Sequence, residues 1–142
     1  MSNNCIFCLI LEGKIPSNII YEDNDNLAFL DINPSAPGHT LIIPKQHKIR
    51  VEELTTEEAT SLFLTLHRLV KPIREAMMAD ATTITINDGP ESGQEVQHVH
   101  IHVIPRKIHD GKGVSQVFRR PNVRSNTEDF KKIAETIKDK IL

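Results

Sequence analysis

Residues His98-Val99-His100-Ile101-His102-Val103-Ile104 alternate imidazole and aliphatic side chains. A period of two marks a strand buried on one face, because successive side chains leave the backbone on opposite sides. The spacing predicts that His98, His100 and His102 share one face while Val99, Ile101 and Val103 pack into a core. At a rise of about 3.3 Å per residue, His98 and His102 would stand roughly 13 Å apart with His100 midway. A row of that length suits a polyphosphate or two adjacent sites. A core has no use for three imidazoles in a row. The bland alternative is a wet strand face with three unrelated histidines, and the flanking aliphatics and preceding Gly-rich loop weigh against it.

Composition narrows the class. With 39% apolar and 25% charged residues, the 142-residue chain reads as globular and fits one domain, residues 1–142. A net charge of −2 gives no basic field to gather nucleic acid. The start, Met1-Ser2-Asn3-Asn4-Cys5, shows no export signal, and no apolar run approaches the ~18 residues that span a bilayer. Two cysteines, Cys5 and Cys8, cannot build a disulfide scaffold. The expectation is a cytoplasmic protein with reduced thiols, engaging neither nucleic acid nor membrane.

The order of elements follows from local pattern. Ile19–Glu22 and Leu27–Asp31 read as strands around an Asp23-Asn24-Asp25-Asn26 turn, and Thr40–Ile43 is a third β-branched run. Thr55 and Glu58 have capping-box spacing ahead of a helix whose apolar set runs from Ala59 to Met77, with Pro72 expected to kink or break it. Thr82–Asn87 reads as a strand, followed by a Gly-rich loop and the histidine strand. Ser125 and Glu128 repeat the capping spacing before a helix with Phe130, Ile133, Ile137 and Ile141 on one side. Lys107–Val123 shows no period and reads as a loop. Strand, strand, strand, helix, strand, strand, helix is the order of an α+β domain: an antiparallel sheet of about five strands with two main helices on one face.

At this point the chain resembles the histidine triad (HIT) family of nucleotide hydrolases and transferases. The segment Gly93-Gln94-Glu95-Val96-Gln97 through Pro105-Arg106 is similar to its signature. Phe29–Pro34 with Gly38–Lys45 resembles its nucleoside-binding strand pair, and Cys5-Ile6-Phe7-Cys8 resembles the start of many microbial members. The likeness covers roughly residues 5–107, leaving a loop and helix over 107–142.

That resemblance implies a HIT-like fold and assigns roles. His100 is the expected nucleophile: a neutral imidazole, with an unperturbed pKa near ~6.5, can attack phosphorus and split one displacement into two. Its other ring nitrogen would be fixed by a backbone carbonyl beside His98, and His102 would donate to a phosphate or leaving-group oxygen. Asp31 would accept the ribose hydroxyls, Ile32 would wall the base, and His39 would line the phosphate end. Asn87, Gly93, Gln94, Glu95 and Val96 complete the implied nucleotide-binding set. As simpler readings, Asp31 and Asn87 are turn formers at strand ends.

Position 95 departs from one branch of the family, where a serine donates to the phosphate or leaving group. Ionised Glu95 cannot donate; either its side chain turns away or the leaving group is cationic. The Asn87–Gln94 loop resembles the branch that hydrolyses dinucleoside polyphosphates, whereas the cysteine opening resembles the nucleoside-phosphoramidase group.

Cys5 and Cys8 also have the gap of paired zinc thiolates. By resemblance, His47 and His98 complete a closed, structural zinc site that staples the N-terminus beside His100; a buried thiol pair is the plainer alternative. His67 and His109 read as solvated. Lys131, Lys132, Lys138 and Lys140 read as a wet helix face, and Arg119, Arg120 and Arg124 as loop residues within possible reach of a phosphate.

The expected function is hydrolysis or transfer of a purine nucleoside monophosphate through a covalent adduct on His100, with no catalytic metal required. Substrates would be phosphoramidates or dinucleoside polyphosphates, AMP or GMP derivatives, and the chain would act as a homodimer. A nucleotide-binding module that works mainly through a protein partner is the alternative. A zinc hydrolase using all three imidazoles is disfavoured by the spread along the strand and the lack of a nearby carboxylate ligand.

Overall fold

The computed structural model describes residues 4–108 and 127–141. Its strands are β1 (Ile19–Glu22), β2 (Asn26–Leu30), β3 (Thr40–Pro44), β4 (Ala81–Thr85) and β5 (Ile101–Arg106). They form one five-stranded sheet in the order β1-β2-β3-β5-β4, with every neighbouring pair antiparallel. Three helices accompany it: α1 (Ile6–Leu11), α2 (Thr56–Ala76) and α3 (Thr127–Ile141).

Local chemistry explains the turns. Asp23 Oδ1 accepts from the backbone N–H groups of Asp25 and Asn26, both at 2.8 Å, and this folds β1 back onto β2. Thr55 and Glu58 form the anticipated capping box, with Thr55 N–H donating to Glu58 Oε1 at 2.8 Å and Glu58 N–H to Thr55 Oγ1 at 3.1 Å. Pro72 does not end the helix, which runs on to Ala76. Burial of Leu62, Leu69 and Ile73 against the sheet outweighs the backbone bond that proline removes.

The two long helices lie on one face, as the element order predicts. Their core joins Leu62, Leu69, Ile73, Ala134 and Ile137 to Ala28, Leu30, Ile42, Val99, Ile101 and Val103. The opposite face is not left to solvent. A second apolar cluster there joins Cys5, Phe7 and Cys8 to Leu27, Phe29, Leu41 and Ile43. Helix α1, which the sequence pattern did not reveal, is therefore the lid on that side, and β2, β3 and β5 are buried throughout.

The histidine segment is only partly strand. Sheet pairing begins at Ile101, and His98–His100 form the extended approach to it, with Val99 N–H donating to Lys48 O at 2.8 Å. Alternation of faces still holds across the whole run. The strand expected over Thr82–Asn87 is observed one residue earlier and stops at Thr85, which leaves Asn87 on the following loop. The Ser125 capping position, His109, Arg119, Arg120, Arg124 and most of the Lys107–Val123 loop lie outside the described residues. Among the described residues, no helix is long and apolar enough to cross a membrane.

Candidate active site and metal centre

Three backbone or side-chain partners fix the three imidazoles, each in a different way. His100 Nδ1–H donates to the carbonyl oxygen of His98 at 2.7 Å, which leaves Nε2 with its lone pair. Burial pushes the His100 pKa below its ordinary value; the His98 carbonyl and the Asp31 and Glu95 carboxylates pull the other way. A ring that is neutral near pH 7 and fixed at one nitrogen is suited to nucleophilic attack from the other. Phe7 stands edge-on to it, with ring centroids 5.1 Å apart.

His102 follows on β5, its ring centroid 4.9 Å from that of His100. Its tautomer is set from behind. The Ser35 N–H donates to His39 Nδ1 at 3.0 Å, so His39 carries its proton on Nε2. That Nε2–H faces His102 Nδ1 at 2.9 Å, with Asp31 Oδ2 at 3.6 Å. His102 Nδ1 therefore accepts, and its own proton sits on Nε2. His39, predicted to line the phosphate end, is instead 1% exposed and acts through His102. The Asp31, His39 and His102 donor atoms also lie close enough to hold an ion, but two of them are already hydrogen-bonded to each other.

His100 and His102 open onto a cavity of about 340 Å³ lined also by Phe7, Asp31, Ile32, Asn87, Gly93, Glu95 and Val96. Most of the residues predicted to bind nucleotide thus meet at one place. Ile32 is 64% exposed and offers an apolar wall. Asp31 serves two ends: Oδ1 accepts the Asn33 N–H at 2.8 Å, closing the turn after β2, while the side chain also borders the cavity. Gly93 adopts φ +101°, a left-handed conformation that favours glycine whatever approaches its backbone.

Gln94 does not line that cavity. It is 5% exposed, accepts the Gly89 N–H and donates to Ile49 O, both at 2.8 Å. It braces the loop from Asn87 to Val96 rather than presenting a side chain to a ligand.

His98 turns away from the cavity to a different cluster. Cys5, Cys8, His47 and His98 bring their donor atoms within 4.8 Å of one another. His98 Nδ1 lies 3.4 Å from Cys5 Sγ and 3.7 Å from Cys8 Sγ, and His47 Nδ1 lies 3.2 Å from Cys8 Sγ. Tetrahedral zinc bound at about 2.3 Å to sulfur and about 2.05 Å to nitrogen would set sulfur–nitrogen separations near 3.5 Å, so the cluster has the right size. Behind it, His98 Nε2–H donates to Pro44 O at 2.8 Å, which turns Nδ1 toward the sulfurs as a ligating imidazole requires. Burial also lowers the His98 pKa to about 4, keeping the ring neutral, and raises the Cys5 thiol above its usual value. The row of imidazoles therefore divides, with His98 in the cysteine cluster and His100 and His102 on the cavity.

A family model describing the HIT domain matches residues 12–109. The chain belongs to the histidine triad family. HIT relatives match it over most of this chain. An adenosine 5'-monophosphoramidase of Schizosaccharomyces pombe is 36% identical over 139 residues, 97% of this chain and 98% of that protein. An adenylylsulfatase of Arabidopsis thaliana is 35% identical over 128 residues, covering 90% of this chain and 65% of that one. Among solved structures, a zinc-bound HIT protein from Mycobacterium smegmatis superposes with a TM-score of 0.82 at 34% identity, covering 97% of this chain and 93% of that one.

Sequence reasoning missed several contributors to this HIT site. Phe7 and Ile6 reach it on α1, whose signal was the short apolar run between the cysteines and Leu11. The backbone groups of Ser35, Pro44 and His98 that set the tautomers carry no side-chain signal at all.

Proposed function

We propose that this protein hydrolyses or transfers purine nucleoside monophosphates, AMP or GMP derivatives, from phosphoramidates or dinucleoside polyphosphates through a nucleotidyl-His100 intermediate. The observation that carries the reading is the His100 ring, held at Nδ1 by the His98 carbonyl at 2.7 Å and opening on the cavity beside His102. The names of two relatives, an adenosine monophosphoramidase and an adenylylsulfatase, agree with adenylyl substrates.

In this mechanism the nucleoside lies toward Asp31 and Ile32, with the ribose hydroxyls on the carboxylate. His100 Nε2 attacks phosphorus as the bond from phosphorus to the leaving nitrogen or oxygen breaks, its electron pair departing with that atom. The Nε2–H of His102 holds an oxygen of the phosphoryl group as charge shifts. Water then attacks phosphorus, the imidazole leaves with its electron pair restored, and the nucleoside monophosphate departs. Catalysis in this reading comes from positioning and hydrogen-bond donation by the chain's own side chains.

Cys5, Cys8, His47 and His98 are proposed to hold a structural zinc ion, in keeping with the zinc-bound relative. Two thiolates and two imidazoles would neutralise its charge and tie α1 to the histidine segment. The thiol ligands suit the reducing cytoplasm. Association as a homodimer through β4 is part of the proposal, supported by Ile84, 46% exposed on that edge strand.

The test is rapid quenching with substrate labelled at phosphorus. Label should appear on His100, and His100→Ala should lose the adduct and more than about a thousandfold in turnover while still binding AMP. Turnover retained in that variant would overturn the mechanism. Tight AMP binding by the wild type with no turnover of either substrate class would leave a nucleotide-binding module instead.

A further inference from the structure

A second cavity, of about 380 Å³, adjoins the first and shares with it Ile6, Glu95 and Val96. Its remaining lining is Asn4, Cys5, His47, Ile49 and Gln97, with none of the residues assigned to the nucleoside. Glu95 is exposed to solvent and forms part of both walls. Among the described residues, neither cavity is lined by lysine or arginine, and the acidic groups at the first are Asp31 and Glu95.

We infer that the second cavity receives the leaving group, and that Glu95 selects an aliphatic amine bearing a further positive charge over a neutral or anionic one. This deepens the proposed function and rests on it: the phosphoryl group must lie at His100 with its nucleoside toward Asp31. With that end filled, the departing group has the Glu95 side open to it. A polyphosphate leaving group would bring several negative charges beside the Glu95 carboxylate. A diamine joined through one nitrogen would place its free ammonium there instead. Displacement breaks the phosphorus–nitrogen bond with its electron pair going to nitrogen, which takes up one proton from water as it leaves and a second once free, so the product is a dication that screened attraction to Glu95 also favours.

The experiment compares three adenosine 5'-phosphoramidates of matched length, built on 1,5-diaminopentane, pentylamine and 5-aminopentanoate. Wild-type kcat/KM at low ionic strength should fall in the order cationic, neutral, anionic, by about three- to fivefold per step, as one partly exposed charge pair allows. Glu95→Gln should bring the cationic-to-neutral ratio close to one, Glu95→Lys should invert it, and added salt should compress the wild-type order. Equal kcat/KM for all three substrates in the wild type, or an unchanged order in Glu95→Gln, would overturn the inference while leaving the proposed function standing. Failure of the wild type to release AMP from any of them would overturn the phosphoramidase reading and this inference with it.

Discussion

The carbonyl oxygen of His98 stands 2.7 Å from Nδ1 of His100, while the His98 ring faces Cys5 and Cys8. One residue thus joins the cysteine cluster through its side chain and orients the candidate nucleophile through its main chain. Whatever fixes His98 also fixes the direction of the His100 lone pair.

Loss of metal should therefore affect both stability and turnover. Zinc at one hundred times its Kd would stabilise the fold by about 2.7 kcal/mol. Chelation or Cys8→Ser should lower Tm and also slow the AMP-releasing step, measured by zinc content, calorimetry and single-turnover kinetics. A metal-free protein with undiminished turnover would disconnect the two sites.

His39 should matter although it does not line the cavity. Its Nε2–H at 2.9 Å holds His102 as the Nε2–H tautomer. His39→Ala should reduce kcat by about a hundredfold with a smaller change in KM, the scale of a misplaced proton donor. Nitrogen NMR of His102 should show a changed tautomer balance, and His39→Gln, which keeps a donor, should recover part of the rate.

The pH profile should carry the mark of burial. Burial lowers the His100 pKa, so the ring stays unprotonated below the ordinary 6.5. The acidic limb of kcat/KM, which reports the free enzyme, should fall on the low side of that value. Stability should move in the same sense. In the metal-free protein, unfolded histidine takes up a proton as pH falls through 6.5, whereas folded His98 resists until about 4, so stability present above 6.5 is lost across that window. An acidic limb above 6.5 would contradict the neutral-nucleophile state.

Gln94 should behave as a brace. Replacing it with alanine strips partners from the Gly89 N–H and the Ile49 carbonyl. The cost should be about 1–3 kcal/mol of stability, with a raised KM as the loop bearing Asn87 and Glu95 loosens. Denaturant unfolding alongside steady-state kinetics would measure both.

Much of the architecture was legible because period and turn chemistry are local. Capping at Thr55, the Asp23 turn and the alternation from His98 to Ile104 each depend on residues a few positions apart. Pro72 does not break α2 because burial of Leu69 and Ile73 is a tertiary term stronger than the local penalty. Helix α1 was hidden for a related reason: six residues are too few for periodicity to speak, and packing on Leu27, Phe29, Leu41 and Ile43 holds them.

The sequence by itself determined the sheet, the place of the two long helices, the imidazole row and the likeness that assigns it a chemistry. Tertiary structure decided how the row divides: His98 to the cysteines, His100 and His102 to the cavity, and His39 behind them rather than beside the ligand. The physical reason is that tautomers and side-chain aim are set by backbone carbonyls and amides. Every residue carries those groups alike, so only folding determines which imidazole each one meets.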